Sequence, residues 1–177
     1  MIQKIVDVKN PSLREISKEV AIIDKKTLQI IGDMKETLDA QNDPEGVGLA
    51  APQIGKNVRI FLIKNKGKTQ IVINPEILSK AVPPPGAKKA SPGKPLEGCL
   101  SLPHYYGPLN RTSKIKIKYM DETGAILVKE FRGFEAQIVD HEIDHLNGIL
   151  FVDHIVSQKV PLYKFNKEGD WEEVNLV

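Results

Sequence analysis

Of the 177 residues, one is cysteine, one is tryptophan and 6% are aromatic. A lone cysteine excludes an internal disulfide, so Cys99 is a free thiol, a metal ligand or a nucleophile, in a chain suited to a reducing compartment. Long apolar runs are also missing. The most apolar stretch, VRIFLI at 58–63, falls far below the ~20 residues a membrane span requires. The opening MIQKIVDVKN places charge within its first four residues and has no apolar core, so it does not read as a signal peptide. No sign of charge dominates: Lys and Arg number 25, Asp and Glu 23, for a net +2, too balanced for a nucleic-acid groove. What is present is ordinary: 41% hydrophobic and 27% charged residues, a composition that excludes disorder and fibrous classes. At this length a domain buries roughly 70% of its unfolded surface. The expectation is one domain over 1–177, cytoplasmic, with no membrane contact.

The only biased segment is 82–95, VPPPGAKKASPGKP, whose five prolines suit neither a helix interior nor a central strand. It reads as an exposed insertion. Upstream, Leu28, Ile31, Met34 and Leu38 recur at helical spacing behind Asp24, a candidate N-cap, which predicts a helix over 25–41. Segments 58–63 and 70–74 read as strands. In KIKIKYM at 114–120 strict alternation turns Ile115 and Ile117 to a core and the lysines to water. A turn at 121–124 then returns the chain as a hairpin partner, AILVKEF. After Gly133 the pattern becomes helical through HEIDH, with Gly148 as the terminating glycine. The tail over 159–177 reads as non-helical. The fold class expected is α+β, antiparallel β-sheets packed around a central helix that carries HEIDH.

HEIDH at 141–145 is the strongest chemical signal. Helical residues four apart share a face, so His141 and His145 can grip one metal, with Glu142 beside it to take a proton from water. A catalytic site needs a third protein ligand and an open position. The position where a metzincin carries its third histidine holds Phe151, and His154 is out of register. Glu168 stands at a tolerable distance, in a stretch that does not read as helical. Cys99, within EGCLS, offers a thiolate suited to a divalent ion. A closed four-ligand structural site that adds His104 is a further arrangement the spacing allows. In GVGLAAPQIG at 46–55, small residues let a substrate backbone approach and Gln53 supplies an uncharged amide donor.

Gly46-Val47-Gly48-Leu49-Ala50-Ala51-Pro52-Gln53, Glu97-Gly98-Cys99-Leu100-Ser101 and His141-Glu142-Ile143-Asp144-His145 occur in this order, and over residues 1–155 the chain resembles the peptide deformylase family. The resemblance implies hydrolysis of the N-formyl group from formyl-methionine at the start of new polypeptides, releasing formate. It implies Cys99, His141 and His145 as ligands of one divalent metal, Fe²⁺ in the cell, with Zn²⁺ or Ni²⁺ able to take its place. It implies Glu142 as the proton carrier, with Gln53 and the backbone N–H of Leu100 as oxyanion donors. Gly46, Val47 and Gly48 would pair with the substrate backbone, and Ile138 with His141 would line the methionine pocket. Arg111 matches a family arginine and would fix EGCLS through Glu97. The implied partners are formyl-methionyl nascent peptides and the ribosome, although the C-terminal end lacks the long basic helix of many members. Two further departures stand out. Asp140 replaces the glutamine usual before the first histidine and adds negative charge near the metal face, and the Pro-rich insertion is longer than the usual connection.

Overall fold

The computed structural model describes residues 1–65, 67–81, 96–166 and 169–174. The Pro-rich segment 82–95 and Glu168 lie outside them. Three α-helices and nine strands are present among the described residues: α1 (Lys25–Asp39), β1 (Gly48–Ala50), β2 (Ile60–Asn65), β3 (Lys68–Lys80), β4 (Glu97–Cys99), β5 (Leu102–Gly107), β6 (Lys114–Met120), β7 (Ile126–Arg132), α2 (Gly133–Leu146), α3 (Phe151–Gln158), β8 (Leu162–Phe165) and β9 (Trp171–Val174). The strands form two antiparallel sheets, ordered β1-β2-β3-β6-β7 and β4-β5-β8-β9.

Side-chain alternation decides which helix covers which face of the larger sheet. On β2, Phe61 and Ile63 pack with Ile138, Val139, Ile143 and Leu146 of α2. Ile60 and Leu62 pack instead with Ile30, Ile31, Met34 and Leu38 of α1. A strand covered on both sides must be apolar at every position, which accounts for the continuous run IFLI. On β6 only one side is covered, and Ile115 and Ile117 are fully buried while Lys116 and Lys118 are exposed. β6 pairs with β7 along its whole length, the hairpin the sequence predicts. Asp24 caps α1 by accepting the Thr27 backbone N–H at 2.8 Å.

α2 ends at Asn147, and Gly148 follows with φ of 72°. A side chain there would strike the Arg14 carbonyl, so glycine is required by both backbone and space. Reversing here frees α3 to pack Phe151 and Ile155 with Cys99 and Leu162 of the smaller sheet and with Leu109 just after β5. α2 therefore sits where both sheets can reach its residues.

Candidate active site

Two elements far apart in sequence deliver the donor atoms. His141 and His145 are one turn apart on α2, and Cys99 ends β4, where a register shift after Gly98 interrupts the pairing with β5. The ligating atoms of Cys99, His141 and His145 lie within 4.8 Å of one another, and all three residues are buried. Cys99 Sγ is 3.3 Å from His145 Nε2, and the two imidazoles stand edge to face with centroids 4.8 Å apart. His104 is not in this group, and Glu168 is outside the described residues.

The donors fit a divalent ion. His141 Nδ1–H donates to Glu97 Oε1 at 2.8 Å, which fixes the tautomer that turns Nε2 towards an ion. Burial pushes the Cys99 thiol up, but the charge and hydrogen bonds of His145 and His141 outweigh it and hold the thiol well below its ordinary value. Burial likewise lowers His141, and its bonds to Cys99 and Glu97 raise it well above. Glu142 Oε2 and His145 Nδ1 are buried with no hydrogen-bond partner among the described residues, an exception that marks a site made to meet something further.

Around these ligands lies an ionic framework. Arg111, with a side chain 3% exposed, donates from Nε to Glu97 Oε2 at 2.8 Å and from Nη2 to Glu97 Oε1 at 2.7 Å. Its Nη1 pairs with Asp144, whose Oδ2 also meets His154 Nε2 at 2.8 Å. Partial burial raises the pKa of Glu97, yet Arg111 and His141 bring it down to about 2. The Arg111–Glu97 pair is the one the sequence suggests, while the bond from Glu97 to His141 is not legible there. Asp140 does not project its charge onto the donors. It is buried, receives Lys80 Nζ at 2.5 Å and lies 3.5 Å from Arg111 Nη1, so two cations neutralise it within the framework.

A cavity of about 260 Å³ opens against the ligands, small beside ligand pockets of ~300–1,000 Å³ and sized for one side chain with its amide. Val47, Gly48, Gln53, Cys99, Leu100, Ile138, His141 and Glu142 all line it. Gly46 does not; it is buried, bonded to Gln41 O at 3.2 Å and packed on Leu38. Gln53 is oriented by its surroundings. Its Oε1 accepts the Ala50 N–H at 2.8 Å, which turns the amide N–H groups towards Cys99 Sγ at 3.5 Å and Ser101 Oγ at 3.3 Å. Gly48 admits no Cβ, because one would meet the Glu142 carboxylate and come within 2.9 Å of Ile138 Cγ2. His104, considered from the sequence as a fourth ligand, lies on the wall instead, and Tyr105, Tyr106, Phe134 and Gln137 join it there unforeseen, since strand β5 and the start of α2 carry no motif.

Glu142 is fully enclosed, and burial raises it to about 7 although His141 and His145 pull the other way. Without metal, the neutral acid is the form the fold favours. A raised carboxyl supports the native state below its unfolded value of 4.5 and loses that support as pH rises through about 7. Relative to Glu142→Gln, chelated wild type should therefore lose about 3 kcal/mol across this window. Melting temperatures of both proteins in chelator from about pH 4 to about pH 8 check it. A difference between them that stays constant with pH contradicts the assignment.

A buried thiol of lowered pKa and two imidazoles, with an enclosed glutamate facing a small cavity, make the donor set and proton carrier of a metal-dependent hydrolase. The comparisons name the family. The model for "Polypeptide deformylase" matches residues 2–160. The chain is 39% identical over 159 residues to the peptide deformylase of Pseudothermotoga lettingae (90% of this chain, 86% of that one) and 42% identical over 159 residues to that of Halothermothrix orenii (88% and 92%). It superposes with a TM-score of 0.74 and 30% identity on the Met-Ala-Ser-bound class I type b peptide deformylase from Acinetobacter baumannii, covering 88% of this chain and 99% of that one. The chain belongs to the polypeptide deformylase family and is a metallohydrolase that removes the N-formyl group from new polypeptides.

Proposed function

We propose that Cys99, His141 and His145 hold one divalent ion, Fe²⁺ in the cell with Zn²⁺ or Ni²⁺ as substitutes, and that the chain works in the cytoplasm on formyl-methionyl peptides as they leave the ribosome. The observation that carries the ligand set is the cluster of three buried donors within 4.8 Å. When bound, such an ion supplies a Lewis acid and lowers the pKa of water from 15.7 to about 7. No described helix is long and apolar enough to cross a membrane, and a cytoplasmic location suits a free thiol, Cys99, that has to stay reduced to hold an ion.

The chain's own residues carry the remaining steps. Glu142 Oε2, buried and unpaired, takes a proton from the attacking water and passes it to the leaving amine nitrogen. The Gln53 amide, aligned through Ala50, and the Leu100 N–H donate to the oxygen of the formyl group as negative charge builds on it. Each such donor is commonly worth about 3 kcal/mol in the transition state. Val47 and Gly48 hold the substrate backbone, and Gly46 acts behind them by seating that segment on α1. Ile138 and His141 border the space for the methionine side chain. Glu97, locked by Arg111, keeps His141 facing the ion. Met-Ala-Ser, the peptide bound in the Acinetobacter structure, begins with methionine as such a product does.

The ligand set is tested by Cys99→Ser. A serine hydroxyl is a poorer ligand than a thiolate for these ions, so the variant should lose most of its metal while keeping its fold. Metal content by elemental analysis and far-ultraviolet circular dichroism check this; full occupancy at unchanged affinity contradicts it.

A further inference from the structure

The cavity holds little beyond one residue, so the rest of a polypeptide substrate has to lie on the protein surface beyond its mouth. The smaller sheet offers a surface there. Its register places Tyr106, Tyr163 and Glu173 side by side across β5, β8 and β9, and Phe165 beside Trp171 two residues further along. Residues opposite one another or two apart in a sheet share a face. Tyr106, Tyr163, Phe165 and Trp171 therefore share one face, while Leu162, Val174 and Tyr105 pack against α3 on the other. This aromatic face is not a core. Phe165 is 37% exposed and Trp171 51% exposed, and Tyr106 and Tyr163 are half-buried.

The face is continuous with the active site. Tyr106 lines the cavity, and its ring lies over Gly98, where a Cβ would come within 2.7 Å of it. Trp171 meets Tyr106 edge to face at 5.4 Å, and Phe165 meets Trp171 at 4.9 Å. Those two steps match the reach of about three residues of extended chain. Pro44 and Glu45 line the same cavity. A chain that leaves it past Tyr106 passes over the aromatic rings.

We infer that the Tyr106–Trp171–Phe165 face extends the substrate site and binds the formylated polypeptide from its third residue onward, favouring aromatic or bulky apolar side chains. Flat rings with few rotatable bonds contact a varied chain at low ordering cost, which suits an enzyme that meets many sequences. The inference rests on the deformylase reading, and its test separates the two.

The test compares formyl-Met-Ala with formyl-Met-Ala-Ser-Phe on metal-loaded wild type, Trp171→Ala and Phe165→Ala, with formate release as the readout. Wild type should show a lower KM for the longer peptide. Trp171→Ala should raise that KM about five- to tenfold, with kcat unchanged, the size expected from losing an aromatic pair. The dipeptide ends short of the platform, and its KM should stay within about twofold. Trp171 is the only tryptophan. Binding of the longer peptide to the turnover-deficient Glu142→Ala protein should therefore change tryptophan emission, whereas the dipeptide should not. Equal losses on both peptides would reduce the platform to a structural support and overturn the inference, as would no loss on either. A change in oligomeric state with Trp171→Ala, without any length dependence, would assign the face to a second copy of the chain and overturn it too. Wild type inert on both formyl peptides would instead contradict the deformylase reading itself.

Discussion

Glu142→Ala is expected to keep its metal and lose about 10²- to 10⁴-fold in kcat, the usual cost of removing a general acid–base group. Two features separate this carboxylate from the ligands. Among the described residues it is not one of the three donors within 4.8 Å of one another, and its Oε2, in the cavity wall, is buried with no hydrogen-bond partner. A side chain that moved protons from this position would leave ion affinity intact, because Cys99, His141 and His145 remain. Truncation to alanine also removes a group whose enclosure holds its pKa near 7, so the fold should tolerate the change well. Metal analysis and steady-state formate release on one preparation decide the matter. Wild-type turnover in the metal-loaded variant contradicts the role, and loss of the metal would make Glu142 a ligand.

The second large effect concerns the acyl group. The proposed oxyanion donors, Gln53 and Leu100, line the same cavity as Gly48, where a Cβ would already meet the Glu142 carboxylate, so the acyl group is proposed to sit against a close wall. A formyl group presents only hydrogen on the side of its carbonyl away from nitrogen. An acetyl group adds a methyl there, and an internal peptide bond adds a Cα with its side chain. Forcing a methyl into a closed, packed site costs about 1–3 kcal/mol, or roughly 10- to 200-fold, and displacement of the carbonyl from its donors adds to the loss. The expected order in kcat/KM is formyl-Met peptide far above the acetyl-Met peptide of the same sequence, with no measurable cleavage of unblocked internal bonds. Equal values for formyl and acetyl substrates would show that the wall does not set the selectivity.

The parts of the site that are legible in the sequence are those set by local geometry. The four-residue spacing of His141 and His145 fixes a shared helical face whatever the helix packs on. The small residues of GVGLAAPQ are read as room for a substrate backbone; what the structure shows is that Gly48 lies so close to Glu142 and Ile138 that it admits no Cβ. Strand β6 and its hairpin partner are equally local, and both form where alternation and the turn place them. What escapes is long-range. The smaller sheet depends on β5 meeting β8 some sixty residues later, and neither strand has a clean alternating pattern. Helix α3 is short, and the predicted strand at 70–74 continues to Lys80 because β6 pairs with its far half.

Asp140 is the instructive case. Read along the helix, it places an uncompensated charge next to a metal ligand. In the fold, Lys80 and Arg111 arrive from elsewhere in the sequence and neutralise it, joining the end of β3 to the same framework that holds Glu97 and His141. Glu142 shows the converse. The role proposed for it is readable from the motif, but its enclosure depends on the cavity walls, and that enclosure is what raises it to about 7.

The measurement closest to the central claim is a metal titration of chelated protein, following formate release from a formyl-Met peptide against equivalents of Fe²⁺ or Zn²⁺ added. Three donors gathered in one place predict activity that is absent at the start, rises linearly and breaks at one ion per chain, with Cys99→Ser showing no such break at the same concentrations. Formate release by fully metal-free protein, or a break at two ions per chain, would contradict it.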